Sequence, residues 1–315
     1  IDHIQACYSI KSQGTPNMYL AIFENSDVDL SHINFRRLTS PIEFVIRQIC
    51  QIVEGIKVLH KHNIVHRDIK GDNCLINYKG VGKITDTGAA RLDQREIHNT
   101  YCTPCYAPPF IWRTFDDQMK KLGYQGKSAD VFSTGITIEF DCILPLLKHY
   151  AGENLIENSA KYNRFVKLYE RIINARNQVD INSLNELAYL KQNFPCRVSL
   201  FGRVALIFPE RDQLLKDTLA AIKLFEIYIP KESNCLKNFA ILAYKLINYN
   251  SKEIPSIDSV KTELAKIYDD LFKNEYADEN SSTNTKTNKA RSPDAINLNQ
   301  KTSSPIKKKQ KVQSI

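Results

Sequence analysis

Apolar residues recur at helical spacing from Ile42 to Leu59, through Val45, Ile46, Ile49, Ile52, Val53 and Ile56, so one face of a long helix is apolar. Ser40 offers an N-cap and Pro41 a first-turn proline, and the helix is expected to end near His60. Upstream, Asn17 to Asn25 is a short apolar run suited to a buried strand, and Ile4 to Ile10 is a candidate second strand. Two strands alone make a poor sheet. Downstream, Asn73 to Asn77 and Val81 to Thr85 read as short strands around a Tyr-Lys-Gly turn. Beyond residue 127 the period is helical, in Val131 to Leu147, Phe165 to Ile173, Leu214 to Ile227 and Leu236 to Leu246. After about Lys273 large apolar residues nearly vanish and Ser, Thr, Asn and Lys dominate, which predicts disorder.

Composition narrows the class of molecule. The 315 residues are 43% hydrophobic and 25% charged, enough for a sizeable core. No stretch approaches 18 consecutive apolar residues, and the start lacks the basic-then-apolar pattern of a secretory signal, so a soluble chain without a membrane span is expected. The first residue is Ile, which suggests that the numbering begins inside a longer product. Eight cysteines are scattered, as reduced thiols would be. The pair Cys102-Thr-Pro-Cys105 could be half of a zinc site, but a second pair at matching spacing is lacking, so unligated thiols are expected. Residues 277–315 hold eight Lys/Arg and three Asp/Glu, so 8 − 3 = +5 of the net charge of +8 lies there. The rest is only mildly basic, which argues little for a nucleic-acid partner.

The informative stretch follows the long helix. It reads His66-Arg67-Asp68-Ile69-Lys70-Gly71-Asp72-Asn73, then Asp86-Thr87-Gly88, with Asp86 thirteen residues after Asn73. This resembles the catalytic loop and the metal-binding DFG motif of eukaryotic-type protein kinases. The resemblance implies an α+β, protein kinase-like fold with a mostly helical large lobe and a remnant of the small-lobe sheet. It divides the chain into residues 1–30 (small-lobe remnant and hinge), 31–273 (large lobe) and 274–315 (basic tail).

By the same resemblance, Asp68 would accept or orient the proton of the substrate hydroxyl, and Lys70 would sit against the transferring phosphate of ATP. A lysine there looks like the Ser/Thr branch. Asn73 and Asp86 would supply oxygen ligands for magnesium, which prefers hard donors. Met18 to Leu30 looks like the hinge strand with Ile22 at the gatekeeper place. The backbone of Phe23 and Asn25 would then meet adenine, and Asp29 the ribose. Leu75 would floor the adenine pocket, or is an ordinary strand core residue. Asp130, in Lys127-Ser-Ala-Asp-Val-Phe-Ser-Thr-Gly135, would hold the catalytic-loop backbone, or is a plain N-cap. Residues 99–109 look like the end of the activation segment. There Thr103 would approach Asp68 and Lys70, and Thr100 is either a phosphorylation site held by Arg67 or an unmodified loop residue.

Three departures from the pattern stand out. The Gly-rich loop, strand lysine and helical glutamate of the family are not in the chain, which suggests truncation. Thr87 replaces the aromatic of DFG, so the column above His66 loses its large side chain. The letters Ala107-Pro108-Pro109-Phe110 lack the glutamate of the family's APE motif. The expected function is a Ser/Thr protein kinase transferring the ATP γ-phosphate to protein hydroxyls. The alternative is a pseudokinase or scaffold. The run Lys307 to Lys311 is either a hydrated charge run or a signal read by an import factor, so the expected location is cytoplasmic, with nuclear entry through that run as the variant.

Overall fold

The computed structural model of the chain describes residues 2–12, 19–93, 102–108, 111, 125–176, 211–248 and 250–279. Strands β1 (Cys7–Ser12) and β2 (Tyr19–Phe23) pair antiparallel, with Cys7 opposite Phe23 and Ser12 opposite Tyr19. The strand expected from Ile4 is displaced toward the C-terminus by a long-range contact. Ile4 instead forms a parallel bridge with Ile84, whose N–H donates to His3 and whose carbonyl accepts from Gln5, both at 2.9 Å.

A second sheet has the order β3 (Val28–Asp29), β5 (Cys74–Ile76), β6 (Gly82–Ile84), all antiparallel. Two further short strands, β4 (Ile64–Val65) and β7 (Arg91–Leu92), pair with each other. The β5–β6 turn forms as expected. The Asn77 side-chain carbonyl accepts the N–H groups of Lys79 and Val81 at 3.0 Å, and Gly80 takes the positive φ of 71° that its missing side chain permits.

Helix α1 (Pro41–Lys61) is the axis around which these pieces assemble. Ile42, Val45, Ile46, Ile49, Ile52, Val53 and Ile56 are at most 1% exposed. Each such side chain is worth roughly 1.5–3 kcal/mol of burial, which far exceeds any propensity term of the helix. Pro41 sits in the first turn as expected, but the Ser40 side chain makes no capping bond. The buried Gln48 donates to the Gly80 carbonyl at 3.1 Å and Gln51 accepts from the Gly82 N–H at 2.7 Å, so α1 also fixes the hairpin.

The second axis is a buried rod: α2 (Gly126–Thr137), a π-helical turn over Ile138–Ile143, then α3 (Leu144–Asn154). Its first two segments are buried nearly all round, as befits a helix enclosed by others. Around it lie α4 (Ala160–Arg176), α5 (Arg211–Lys223) and α6 (Pro230–Leu246). Phe225 is fully buried, edge-on to Phe165 at 5.5 Å between ring centres.

One element departs from expectation. A helix α7 (Ile257–Glu279) packs on α1 and α6 through Val260 and Leu264, both fully buried, and Ile267. It runs six residues past the boundary drawn after Lys273, because a helix anchored by its first four turns propagates at little further cost in chain entropy. The remaining tail expectations fall on 280–315, outside the described residues.

Two predictions follow from this packing. A Cβ on Gly135 would stand 2.7 Å from Leu246 Cβ and 3.0 Å from the Ala243 carbonyl oxygen. Gly135→Ala is therefore expected to destabilise by about 1–3 kcal/mol, where the same change in an open helix stabilises; a urea titration with unchanged or raised midpoint would refute the packing. The second concerns Glu139, fully enclosed in the π turn, whose carboxylate accepts from Thr218 Oγ1 at 2.6 Å. Burial pushes its pKa from 4.5 up to about 7, against the smaller opposing effect of that hydrogen bond. The native state then holds the proton more tightly, so this group's contribution is present below about pH 4.5 and lost as pH rises through about 7. Relative to Glu139→Gln, the native chain should lose about 3 kcal/mol of unfolding free energy between pH 4.5 and pH 8, measured by denaturant titration at each pH.

Candidate active site

The loop after α1 is held from below by one carboxylate. Asp130, 1% exposed at the start of the buried rod, accepts from the His66 N–H at 2.8 Å, the Arg67 N–H at 2.7 Å and His60 Nε2 at 2.9 Å. This observation favours the loop-holding reading of Asp130 over a plain N-cap, since Gln125 occupies the cap position. Arg67 adopts a left-handed φ of 72°, a strained state for a residue of its size. Its Nε donates to the Ala89 carbonyl at 2.6 Å. The Asp68 N–H donates to His66 Nδ1 at 3.3 Å, which leaves the ring proton on Nε2 to meet the Thr85 carbonyl at 2.8 Å. The buried His66 is thus secured to strand backbone, while Thr87 is exposed.

Asp68 is the hub. Its Oδ1 accepts from Thr103 N–H at 2.8 Å and Thr103 Oγ1 at 2.6 Å; its Oδ2 accepts from Asn73 Nδ2 and faces Lys70 Nζ, both at 3.0 Å. Lys70 Nζ also donates to Thr103 Oγ1 at 2.9 Å. Burial would raise the Asp68 pKa, but the hydrogen bonds from Thr103 and Lys70 and the lysine's charge outweigh it and hold the carboxyl below its usual value. It is an anion at neutral pH. The Asn73 amide donates to the Asp68 carbonyl at 2.8 Å as well, so its nitrogen is directed inward.

Asp86 lies one residue beyond Thr85, whose N–H donates to the Asn73 carbonyl at 3.0 Å. It is exposed, left-handed at φ 59°, and accepts only from the Gly88 N–H at 3.3 Å among the described residues. The hinge residues are spread along one edge. Phe23 ends β2 half exposed and Asn25 is exposed beyond it, while Glu24 gives its N–H to the Ala6 carbonyl and its own carbonyl to Gln5. Leu75 is half-buried between buried Cys74 and Ile76, so it faces away from the core. Asp29 is engaged: both its oxygens accept from His32 Nδ1, at 2.8 and 2.9 Å. That contact raises the His32 pKa.

Sequence reasoning missed Asp141. It lies in the π turn and is buried, yet its carboxylate accepts from the Gly71 N–H at 3.0 Å and the Tyr106 hydroxyl at 2.9 and 3.0 Å. It therefore ties the loop carrying Asp68 to the segment carrying Thr103. A Cβ on Gly71 would fall 2.2 Å from Ser31 Oγ and 2.9 Å from the Asp141 carboxyl, so this position must stay small. The only signal in the sequence was an acidic residue inside an apolar helical run. Thr100, Pro109 and Phe110 lie outside the described residues, as do residues 112–124.

A family profile for the protein kinase domain matches residues 2–264. The chain belongs to the protein kinase family. Among curated kinases it is 44% identical over 89 residues to human mitogen-activated protein kinase kinase kinase 5, covering 28% of this chain and 6% of that one. To the serine/threonine-protein kinase chk1 of Schizosaccharomyces pombe it is 32% identical over 126 residues, covering 38% and 23%. This kinase chain thus spans less than a third of the length of these curated relatives. A chain from the yeast RNA Pol II CTD kinase CTDK-1 complex aligns with 83% of this chain and 74% of its own, at 22% identity and a TM-score of 0.47. No helix among the described residues is long and apolar enough to cross a membrane.

In this kinase domain, Asp130→Asn keeps the size of the side chain but turns one acceptor into a donor facing a backbone N–H. We expect a loss of about 1–3 kcal/mol and faster hydrogen exchange at the amides of His66 and Arg67. Unchanged exchange at those two amides would refute the anchoring role.

Proposed function

We propose that this chain is the catalytic body of a Ser/Thr protein kinase that transfers the ATP γ-phosphate to hydroxyls of a protein substrate. The supporting observation is the convergence of Asp68, Lys70, Asn73 and Thr103 on one point, above a loop that Asp130 fixes. Asp68, held as an anion, is the base that orients the substrate hydroxyl and takes its proton. The Thr103 hydroxyl lies between the Asp68 carboxylate and the Lys70 ammonium, so an aliphatic hydroxyl is sterically suited to that position. Lys70 offsets charge on the transferring phosphate, and the two-residue offset aims it at the same point.

The donor set fits a magnesium ion. With its nitrogen turned to Asp68, Asn73 keeps its amide oxygen available, and exposed Asp86 offers carboxylate oxygen. A bound magnesium ion would neutralise phosphate charge. Phe23, Asn25 and Leu75 belong to the same reading as the adenine surface. Asp29 would share its carboxylate between the ribose and His32. The two-lobe division near residue 30 is part of the proposal, as are a cytoplasmic location and an import factor reading Lys307 to Lys311.

The test is phosphate incorporation into casein by the intact protein with radiolabelled ATP and magnesium. Asp68→Ala should lower the rate by about 10²–10⁴-fold with the thermal midpoint maintained within a few degrees. Equal incorporation by the folded variant would refute the assignment and leave the scaffold reading.

A further inference from the structure

We propose that the groove between residues 31–36 and helices α3 and α4 docks an acidic segment of the protein substrate, anchored by an apolar or aromatic side chain. The inference rests on the kinase reading above and names a property of its substrate. The groove has a volume of about 620 Å³. Its floor is aromatic, built by Phe35, Tyr162, Phe165 and Tyr169. Such faces bury large areas of an inserted side chain and supply the strongest anchors of protein interfaces.

Gly152 is the second observation. It lines the groove from within α3, and a Cβ built on it meets nothing within 4 Å. Glycine inside a helix is less favourable than alanine. At Gly135 and Gly71 a close neighbour accounts for the small residue; at Gly152 none among the described residues does. What the missing side chain leaves is room in the groove.

Charge selects the occupant. Arg36 and Lys148 are exposed on the rim and join no ion pair among the described residues. Glu153 is the one carboxylate of the lining, and burial holds His149 toward its neutral form. The rim is therefore positive and suits an acidic partner. This chain's own residues 280–315 carry eight Lys/Arg and one Asp, so they would be repelled. Position makes the partner a substrate. At one end of the groove Ser31 lies against Gly71 of the loop that carries Asp68, and the buried Ser31 hydroxyl has no hydrogen-bond partner among the described residues.

The test is fluorescence anisotropy of a fluorescein-labelled Glu-Glu-Glu-Phe-Glu-Glu peptide with the intact protein, alongside casein phosphorylation. Gly152→Trp, which fills the groove, and the double change Arg36→Glu with Lys148→Glu should each weaken peptide binding about tenfold or more. Gly152→Ala should bind within about twofold of the unaltered protein. Should Gly152→Trp fail to fold, the surface charge reversal carries the test. The proposal is overturned by any of three results: no saturable binding to the unaltered protein, equal binding of a peptide with Lys for Glu, or equal binding by the altered proteins. Tighter binding after deletion of residues 280–315 would also overturn it, because the occupant would then be this chain's own tail. Absent casein phosphorylation with retained, variant-sensitive peptide binding counts against the kinase reading and leaves the groove's selectivity standing.

Discussion

The site depends on one buried carboxylate. A loop that must aim Asp68, Lys70 and Asn73 at one point has no regular hydrogen-bond ladder to hold it, and Arg67 within it sits in a left-handed conformation. Such a conformation persists only when its surroundings over-determine it. Asp130 does so with two backbone N–H bonds, at 2.8 and 2.7 Å, from consecutive residues. Because the carboxylate is mounted on a helix that is buried along nearly its whole length, its position is set by the core and not by the loop. His60 shares the same oxygen as the His66 N–H, which couples the end of α1 to the start of the rod.

Charge at the hub follows from the same enclosure. Taking Asp68 out of water works against its ionised form, and an isolated buried carboxyl would be neutral. Donors on three neighbours reverse that outcome, and they arrive from two elements: Lys70 and Asn73 from the loop, Thr103 from the segment beyond β7. The carboxyl therefore stays ionised while buried because those elements are assembled around it. Glu139, a few residues along the rod and met by a single hydroxyl, shows the contrasting case, with a pKa pushed up to about 7 by burial. Glu139 is the more enclosed of the two and lacks both the neighbouring lysine and the several donors that keep Asp68 ionised.

Legibility in the sequence tracked the range of the interactions. The offsets from His66 to Asn73 and on to Asp86 named the hub residues because catalytic-loop spacing is a local property, and α1 was evident from its apolar period. The displacement of the first strand was not, since what draws Ile4 out of it is a contact with Ile84, eighty residues away. Helix α7 was legible in part. Ile257, Val260, Leu264 and Ile267 lie at helical spacing, but Lys, Asp and Glu outnumber them, and composition obscured the period. The engagement of Asp29 by His32 hid for another reason: an Asp at a strand end does not announce whether its oxygens face a ligand or its own chain.

The π turn is where local irregularity and long-range geometry meet. Wider turns of this kind cost helix stability, and they persist at positions where a side chain must be redirected. Here the turn spans the buried residues Ile138–Ile143, and it carries Asp141 as well as Glu139. In a regular helix the facing of residue 141 would be fixed by its distance from Asp130, which already points at the loop backbone. Eleven residues separate the two, three helical turns to within about 20°, so both carboxylates lie on nearly one face of the rod. A second carboxylate of the same rod thus reaches the Gly71 N–H while the first holds His66 and Arg67. The loop is thereby fixed at both ends by one rigid element. Tyr106, bonded to the same Asp141, brings the Thr103 segment into that frame, so the base and the residue that faces it share a common support.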